Sequence, residues 1–179
     1  MWDIIALFPL FSAIYCRRLR LFSWERGDTQ RRWKLDLLAS LPRVVTVAAV
    51  EREFESGVET HPYLDTALTA LDATVPVVAP SLAAARIEAE LRETLDPGET
   101  QALAVADASD GTIVTDDGDA REIASRREVA VTGSTGVLIR AIESGDLDAE
   151  TADTHFKRWI DEAGFRSPAR EFAAFLDRY

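Results

Sequence analysis

Apolar positions along this chain fall into short β-branched runs separated by longer stretches of helical spacing. Residues 44–47, Val-Val-Thr-Val, predict a buried strand, and residues 48–56 a helical turn or two ending at Gly57. Residues 63–73 carry another helical pattern. Residues 75–79 form a second β-branched run, and its flanking Pro76 and Pro80, which cannot donate to a ladder, place it at a sheet edge. Residues 81–95, rich in Ala, Leu, Glu and Arg, predict a helix by propensity. The clearest unit follows: a helix over 97–109, a turn at Asp110-Gly111, a strand over 112–115, a helix over 119–127, a strand over 129–132 and a helix over 135–144. Two further helices, about 148–163 and 168–178, are separated by Gly164 and Pro168. Short apolar strands alternating with helices predict a three-layer α/β/α sandwich around a mainly parallel sheet.

The opening of the chain has a different pattern. Residues 4–16 are apolar and read as a buried first helix, being about a dozen residues where a membrane span needs roughly 20, with Pro9 as an interruption. Arg17, Arg18 and Arg20 follow the apolar run, whereas a secretory signal carries its positive charge before it. No membrane association is expected. Residues 17–34 form a basic, Trp-containing excursion around Gly27 and Asp28, and residues 35–41 a short helix stopped by Pro42. Residues 1–179 are thus expected to form a single domain, with 148–179 as its C-terminal helices.

Charge changes this picture in one respect. Residues 1–45 hold eight basic and four acidic side chains, a balance of +4, while residues 46–179 hold 12 basic and 27 acidic ones, a balance of −15. A body of that sign repels nucleic acid unless cations intervene. Cys16 is the lone cysteine, which excludes an internal disulfide; with only His61 and His155 beside it, no zinc cluster of familiar spacing can be assembled. The expected compartment is reducing cytoplasm.

Among many acids, a few fall at places where ligands gather. Asp116 and Asp117 follow the strand over 112–115, and the carboxyl ends of strands in open parallel sheets are binding positions. Adjacent carboxylates there suit a hard cation such as Mg²⁺ or Mn²⁺. The same Asp-Asp-Gly-Asp run also makes a turn, with Asp119 available as a helix cap. Asp96-Pro97-Gly98-Glu99 is equally a capping box, Glu53 lies in the charged run 51–55, and Asp3 follows Trp2 near the start. The residues taken singly leave structural and functional roles open.

Their order carries more information. Leu95-Asp-Pro-Gly-Glu99, then Ile113-Val-Thr-Asp-Asp117-Gly-Asp-Ala-Arg121, then Val131-Thr-Gly-Ser-Thr-Gly-Val-Leu138, resemble the PIN-domain nucleases, and within them the branch close to VapC-type toxins in which Gly-Glu opens the third acidic helix. The resemblance covers roughly residues 42–57 and 95–168. It implies a metal-dependent endoribonuclease in which Asp3, Glu53, Glu99 and Asp117 hold Mg²⁺ or Mn²⁺, with Asp116 as a further ligand beside Asp117. Val50-x-x-Glu53 selects Glu53 over Glu51 and Glu55, and Thr115-x-Asp117 selects Asp117. For the first acid, Asp28 in Gly27-Asp28-Thr29 is the alternative to Asp3. Because only Met1 and Trp2 precede Asp3, the first strand is either short or truncated, and an incomplete site would leave a non-catalytic PIN-like scaffold that acts as a binding or dimerisation module.

The resemblance further implies RNA as substrate, a small antitoxin protein as partner and a homodimer. Trp24 and Trp33 offer stacking surfaces for unpaired bases, or pack on the body; Ser134 is read as the cap of its helix and Arg121 as a surface or salt-bridge residue. Two lysines, Lys34 and Lys157, beside 18 arginines and the acid surplus resemble the composition of proteins from salt-loving archaea, where salt screens carboxylate repulsion. A phosphoacceptor receiver domain would also place paired aspartates at a sheet edge, but neither lysine lies in a suitable segment.

Overall fold

The computed structural model describes residues 4–6, 43–59, 65, 68, 69, 73, 75–163 and 165–176. In chain order they form β1 (Ile4–Ala6), β2 (Val44–Val47), α1 (Ala48–Gly57), β3 (Val77–Val78), α2 (Leu82–Leu91), α3 (Pro97–Ala108), β4 (Thr112–Val114), α4 (Gly118–Arg126), β5 (Ala130–Thr132), α5 (Ser134–Ser144), α6 (Ala149–Ala163) and α7 (Ala173–Leu176). The strands make one sheet in the order β3-β2-β1-β4-β5, every neighbouring pair parallel. All five carboxyl ends therefore lie along one edge. β3 occupies the outside position that Pro76 and Pro80 require.

The start of the chain differs from the expected helix. Ile4–Ala6 are a strand at the centre of the sheet, with Ile5 in register with Val45 on one side and Ile113 on the other. Backbone pairing with two neighbours outweighs the local helical reading of so short a segment. The strand has three residues, the same length as β4 and β5, and Asp3 precedes it in the chain rather than following it. Asp3 itself, residues 7–16 of the expected first helix, Asp28, the excursion over 17–34, the helix expected over 35–41 and most of the pattern over 63–73 lie outside the described residues.

Small residues explain how α3 reaches the middle of the fold. Gly98, Ala102, Ala104 and Ala106 are all buried along it, together with Thr100, Gln101 and Leu103, so the helix is covered on nearly every side. Leu103 packs in one core with Val47 of β2, Ile113 and Val114 of β4 and Leu138 of α5. Ser81 caps α2 by accepting the Ala84 N–H at 3.1 Å. That helix ends at Leu91 instead of the expected 95, because the Leu91 carbonyl accepts the Thr94 N–H and closes a turn. Arg127, just past α4, binds Asp107 at 2.6 Å and Glu90 at 3.2 Å, tying α2, α3 and α4 together.

The C-terminal helices close over an aromatic cluster. Phe156 meets Phe165, Phe172 and Phe175 edge-on, with ring centroids 6.0, 5.7 and 5.4 Å away, an arrangement suited to the ring quadrupoles. Among the described residues the last helix covers Ala173–Leu176, starting later than the expected 168; the Asp153 carboxylate takes the Phe172 N–H at 2.8 Å and anchors the turn before it. No helix among the described residues is long and apolar enough to cross a membrane. Phe156 is fully buried, so Phe156→Ala is expected to cost about 3–5 kcal/mol in urea unfolding, and Phe156→Leu clearly less.

Candidate metal centre

The acidic edge is assembled by short connections at the carboxyl ends of the strands. α1 continues directly from β2, α4 follows β4 after Thr115-Asp116-Asp117, and α5 follows β5 after Gly133. Each connection is too short to wander, so whatever acid it carries is held close to the edge.

Glu53 on α1 reaches α3. Its Oε1 accepts the Gly98 N–H at 2.9 Å, and a Cβ at Gly98 would lie 2.8 Å from that oxygen. Only glycine leaves the carboxylate room there. Asp96 stands at the N-cap of α3, with Pro97 at the first helical position, but its side chain makes no cap hydrogen bond. Of the expected capping box, the Asp96 half is replaced by an acceptor from another helix, Glu53 taking the orphan Gly98 N–H, while the Glu99 carboxylate still takes a hydrogen bond from the Asp96 backbone. A second pin lies one turn along, where the buried Gln101 side chain accepts the Ala49 N–H at the start of α1 at 2.9 Å. Neither Gly98 nor Gln101 was singled out for a role by sequence reasoning. The spacing Gly98-Glu99-x-Gln101 could have suggested a helix that offers a donor, an acid and an acceptor to one neighbour.

Glu99 lies next to this contact on α3. Burial, then repulsion from Asp117, Asp96 and Glu53, raises its pKa from the ordinary 4.5 to about 7. Glu53 is also raised, chiefly by burial and then by Asp96, while the Gly98 N–H opposes the shift. The residue as a whole is exposed; the desolvation falls on its carboxylate, which is held against the start of α3.

The two aspartates after β4 divide their tasks. Asp117 is the N-cap of α4, its Oδ1 accepting the Ala120 N–H at 2.8 Å, a position the sequence offered to Asp119. Asp116 is turned to α5, where Oδ1 accepts the Ser134 N–H at 3.0 Å and Oδ2 accepts the Ser134 hydroxyl. Ser134 is accordingly the first helical residue and not the cap, which is Gly133. Among the described residues Arg121 makes no salt bridge; its Nη1 donates to the Thr115 carbonyl at 2.8 Å.

The structure thus groups Glu53, Glu99 and Asp117, with Asp96 at the margin, and engages Asp116 elsewhere. Asp3 and Asp28 lie outside the described residues. Among the described residues no three His, Cys, Asp or Glu side chains already stand at metal-ligating spacing. The donors available are all carboxylate oxygens, and burial together with their mutual repulsion raises the Glu99 pKa to about 7. Such a donor set fits a hard divalent cation, which would supply the missing positive charge.

A parallel α/β/α domain that gathers carboxylates from three separate segments at one edge belongs to the class of α/β proteins with an acidic edge at the carboxyl ends of the strands. A family model described as DUF3368, a PIN domain, matches residues 30–179, and the chain belongs to that PIN-domain family. PIN domains are generally nucleases that bind nucleic acid and typically use divalent metal ions. A search of curated proteins finds no match.

The raised Glu99 pKa has a consequence for stability. The unfolded chain releases this proton near 4.5 and the folded chain near 7, so the metal-free fold loses stability as pH rises between those values. After solvent screening, the loss is expected to be on the order of 1–2 kcal/mol. Urea unfolding in EDTA at pH 5 and pH 8 should show it, and Glu99→Gln should remove it; an unchanged pH dependence in the variant would refute the assignment.

Proposed function

We propose that the chain is a metal-dependent endoribonuclease that hydrolyses RNA phosphodiester bonds, with Glu53, Glu99 and Asp117 holding Mg²⁺ or Mn²⁺; Asp3, the first acid by resemblance, precedes β1 in the chain, whereas these three lie at the carboxyl edge. The observation that carries this reading is the meeting of Glu53, Glu99 and Asp117 at the carboxyl edge, where burial and the neighbouring carboxylates raise the Glu99 pKa to about 7. A bound divalent ion lowers the pKa of its water and neutralises charge on the leaving oxygen. The residues of the chain supply the setting for that chemistry. Gly98 holds the Glu53 carboxylate by one oxygen, and the Ala120 N–H holds Asp117 by one oxygen, so each acid is oriented while its second oxygen stays available.

The VapC-like resemblance supports a toxin with a small antitoxin partner, and a homodimer. The −15 body, with few lysines, supports a cytoplasm rich in salt, where screening lets the acidic surface approach RNA. In this reading residues 1–179 form one domain, and Asp28 is the alternative first acid. A second reading, a non-catalytic PIN-like scaffold, is favoured by one observation: Asp3 precedes the β1 residues Ile4–Ala6, and the sequence carries no carboxylate after them until Glu25.

Cleavage of single-stranded RNA with Mn²⁺ or Mg²⁺ separates the two. Asp117→Asn is expected to lower the rate about 100-fold or more, and EDTA to abolish it. An inactive wild-type chain selects the scaffold, and an active chain with an unaffected variant refutes the site as assigned. Gly98→Ala is expected to change the unfolding free energy by no more than about 1 kcal/mol, because helix propensity offsets the lost hydrogen bond. The same variant should cut RNA at least about tenfold more slowly, since the new Cβ displaces the Glu53 carboxylate from its place beside α3.

A further inference from the structure

The turn after β4 is held by an unusually complete set of bonds, and Asp116 is the side chain that ties it to the next helix. Its two oxygens take the N–H and hydroxyl of Ser134, a residue only 1% exposed, so without the carboxylate both donors would be buried beside an unsatisfied helix start. A Cβ on Gly133 would collide with Asp116 Oδ1 and come within 3.2 Å of Arg121 Nη1, so the approach depends on glycine at that position. The remaining bonds act on the backbone of the same turn. Thr115 N–H donates to the Thr132 carbonyl at 2.9 Å, Thr115 Oγ1 accepts the Asp117 N–H at 3.1 Å, and Arg121 Nη1 holds the Thr115 carbonyl. Negative charge at the first turn of α5 also interacts favourably with the helix dipole.

We propose that Asp116 is a positioning residue: by clasping the start of α5 through Ser134, it fixes the 115–117 turn and keeps Asp117 beside Glu99. The clasp is read directly from its hydrogen bonds, while its purpose rests on the cation-holding role proposed above for Asp117 and Glu99. Chemistry distinguishes a clasp from a ligand. An asparagine at 116 can accept the Ser134 N–H through its amide oxygen and donate to the Ser134 hydroxyl through its NH₂, preserving both contacts without charge. An alanine preserves neither. A metal ligand, by contrast, fails as asparagine.

Thermal unfolding of the full chain in EDTA and in excess MnCl₂ tests this. Wild type is expected to gain Tm on adding Mn²⁺. Asp116→Asn should keep its metal-free Tm within about 2 °C of wild type and retain the Mn²⁺ gain, whereas Asp116→Ala should lose about 5 °C or more without metal. Ser134→Ala keeps the backbone bond to Asp116 and should show about half that loss; it provides the metal-free comparison if Asp116→Ala does not fold. Asp117→Asn should keep its metal-free Tm, asparagine being an equally good cap, and lose the Mn²⁺ gain. The proposal is overturned if Asp116→Asn loses the Mn²⁺ gain as fully as Asp117→Asn does, or if Asp116→Ala and Ser134→Ala both unfold like wild type in EDTA. If wild type itself shows no Mn²⁺ gain, the cation-holding reading fails, and the metal-free ranking of the Asn, Ala and Ser134 variants still decides whether the clasp exists.

Discussion

At Gly98 two helices approach so closely that a single added carbon would strike the carboxylate of the other. The bond made there, from the Gly98 N–H to Glu53, is charge-assisted and contributes about 1.5–3 kcal/mol against the cost of bringing a carboxylate out of water. Gln101 fastens the same two helices at the beginning of α1. Because α1 follows β2 without a linker, pinning it to α3 also sets α3 against the sheet. The small side chains of α3 then let it be enclosed by the core, and Glu99, one residue beyond Gly98, is carried to the edge where Asp117 ends its own connection.

That geometry makes the acidic edge a region of opposed tendencies. Hydrogen bonds draw Glu53 and Asp117 to helix starts, where negative charge is favourable, and each success moves one carboxylate nearer to the others. For Glu99, burial and repulsion outweigh the hydrogen bond from the Asp96 backbone, and its pKa rises to about 7. A proton or a divalent cation can relieve the same repulsion. Stability sacrificed at such an edge is a common accompaniment of function. On the other side of Asp117 the structure is free of this conflict, since the bonds between Asp116 and Ser134 and between Arg121 and Thr115 are locally complementary.

Much of the fold was legible in the sequence, and the parts that were not share a cause. The succession from Pro97 to Ser144 has strong local signals: alanine-rich helix, Asp-Gly turn, β-branched strand, and again helix, strand and helix, each within two residues of its observed bounds. The opening strand had no such signal. Three residues at the start of a longer apolar run resemble the beginning of a helix until two neighbouring strands supply their hydrogen bonds. Capping was misassigned for a related reason. Asp117 and Asp119 can both cap α4 by spacing, and Asp96 can cap α3; the choice depends on what other donors and acceptors the fold brings within reach.

The sequence by itself therefore determined the parallel α/β architecture, the strand ends at which acids fall, and membership of a family with that arrangement, since these follow from periodicity, turn chemistry and the order of motifs. Only the tertiary structure decided which oxygen meets which donor. Glu53 finds Gly98 across 45 residues and Asp116 finds Ser134 across 18. Periodicity specifies the face on which a carboxylate emerges, but the partner it meets there is supplied by a different helix, and its distance is fixed by packing between elements that no local pattern encodes.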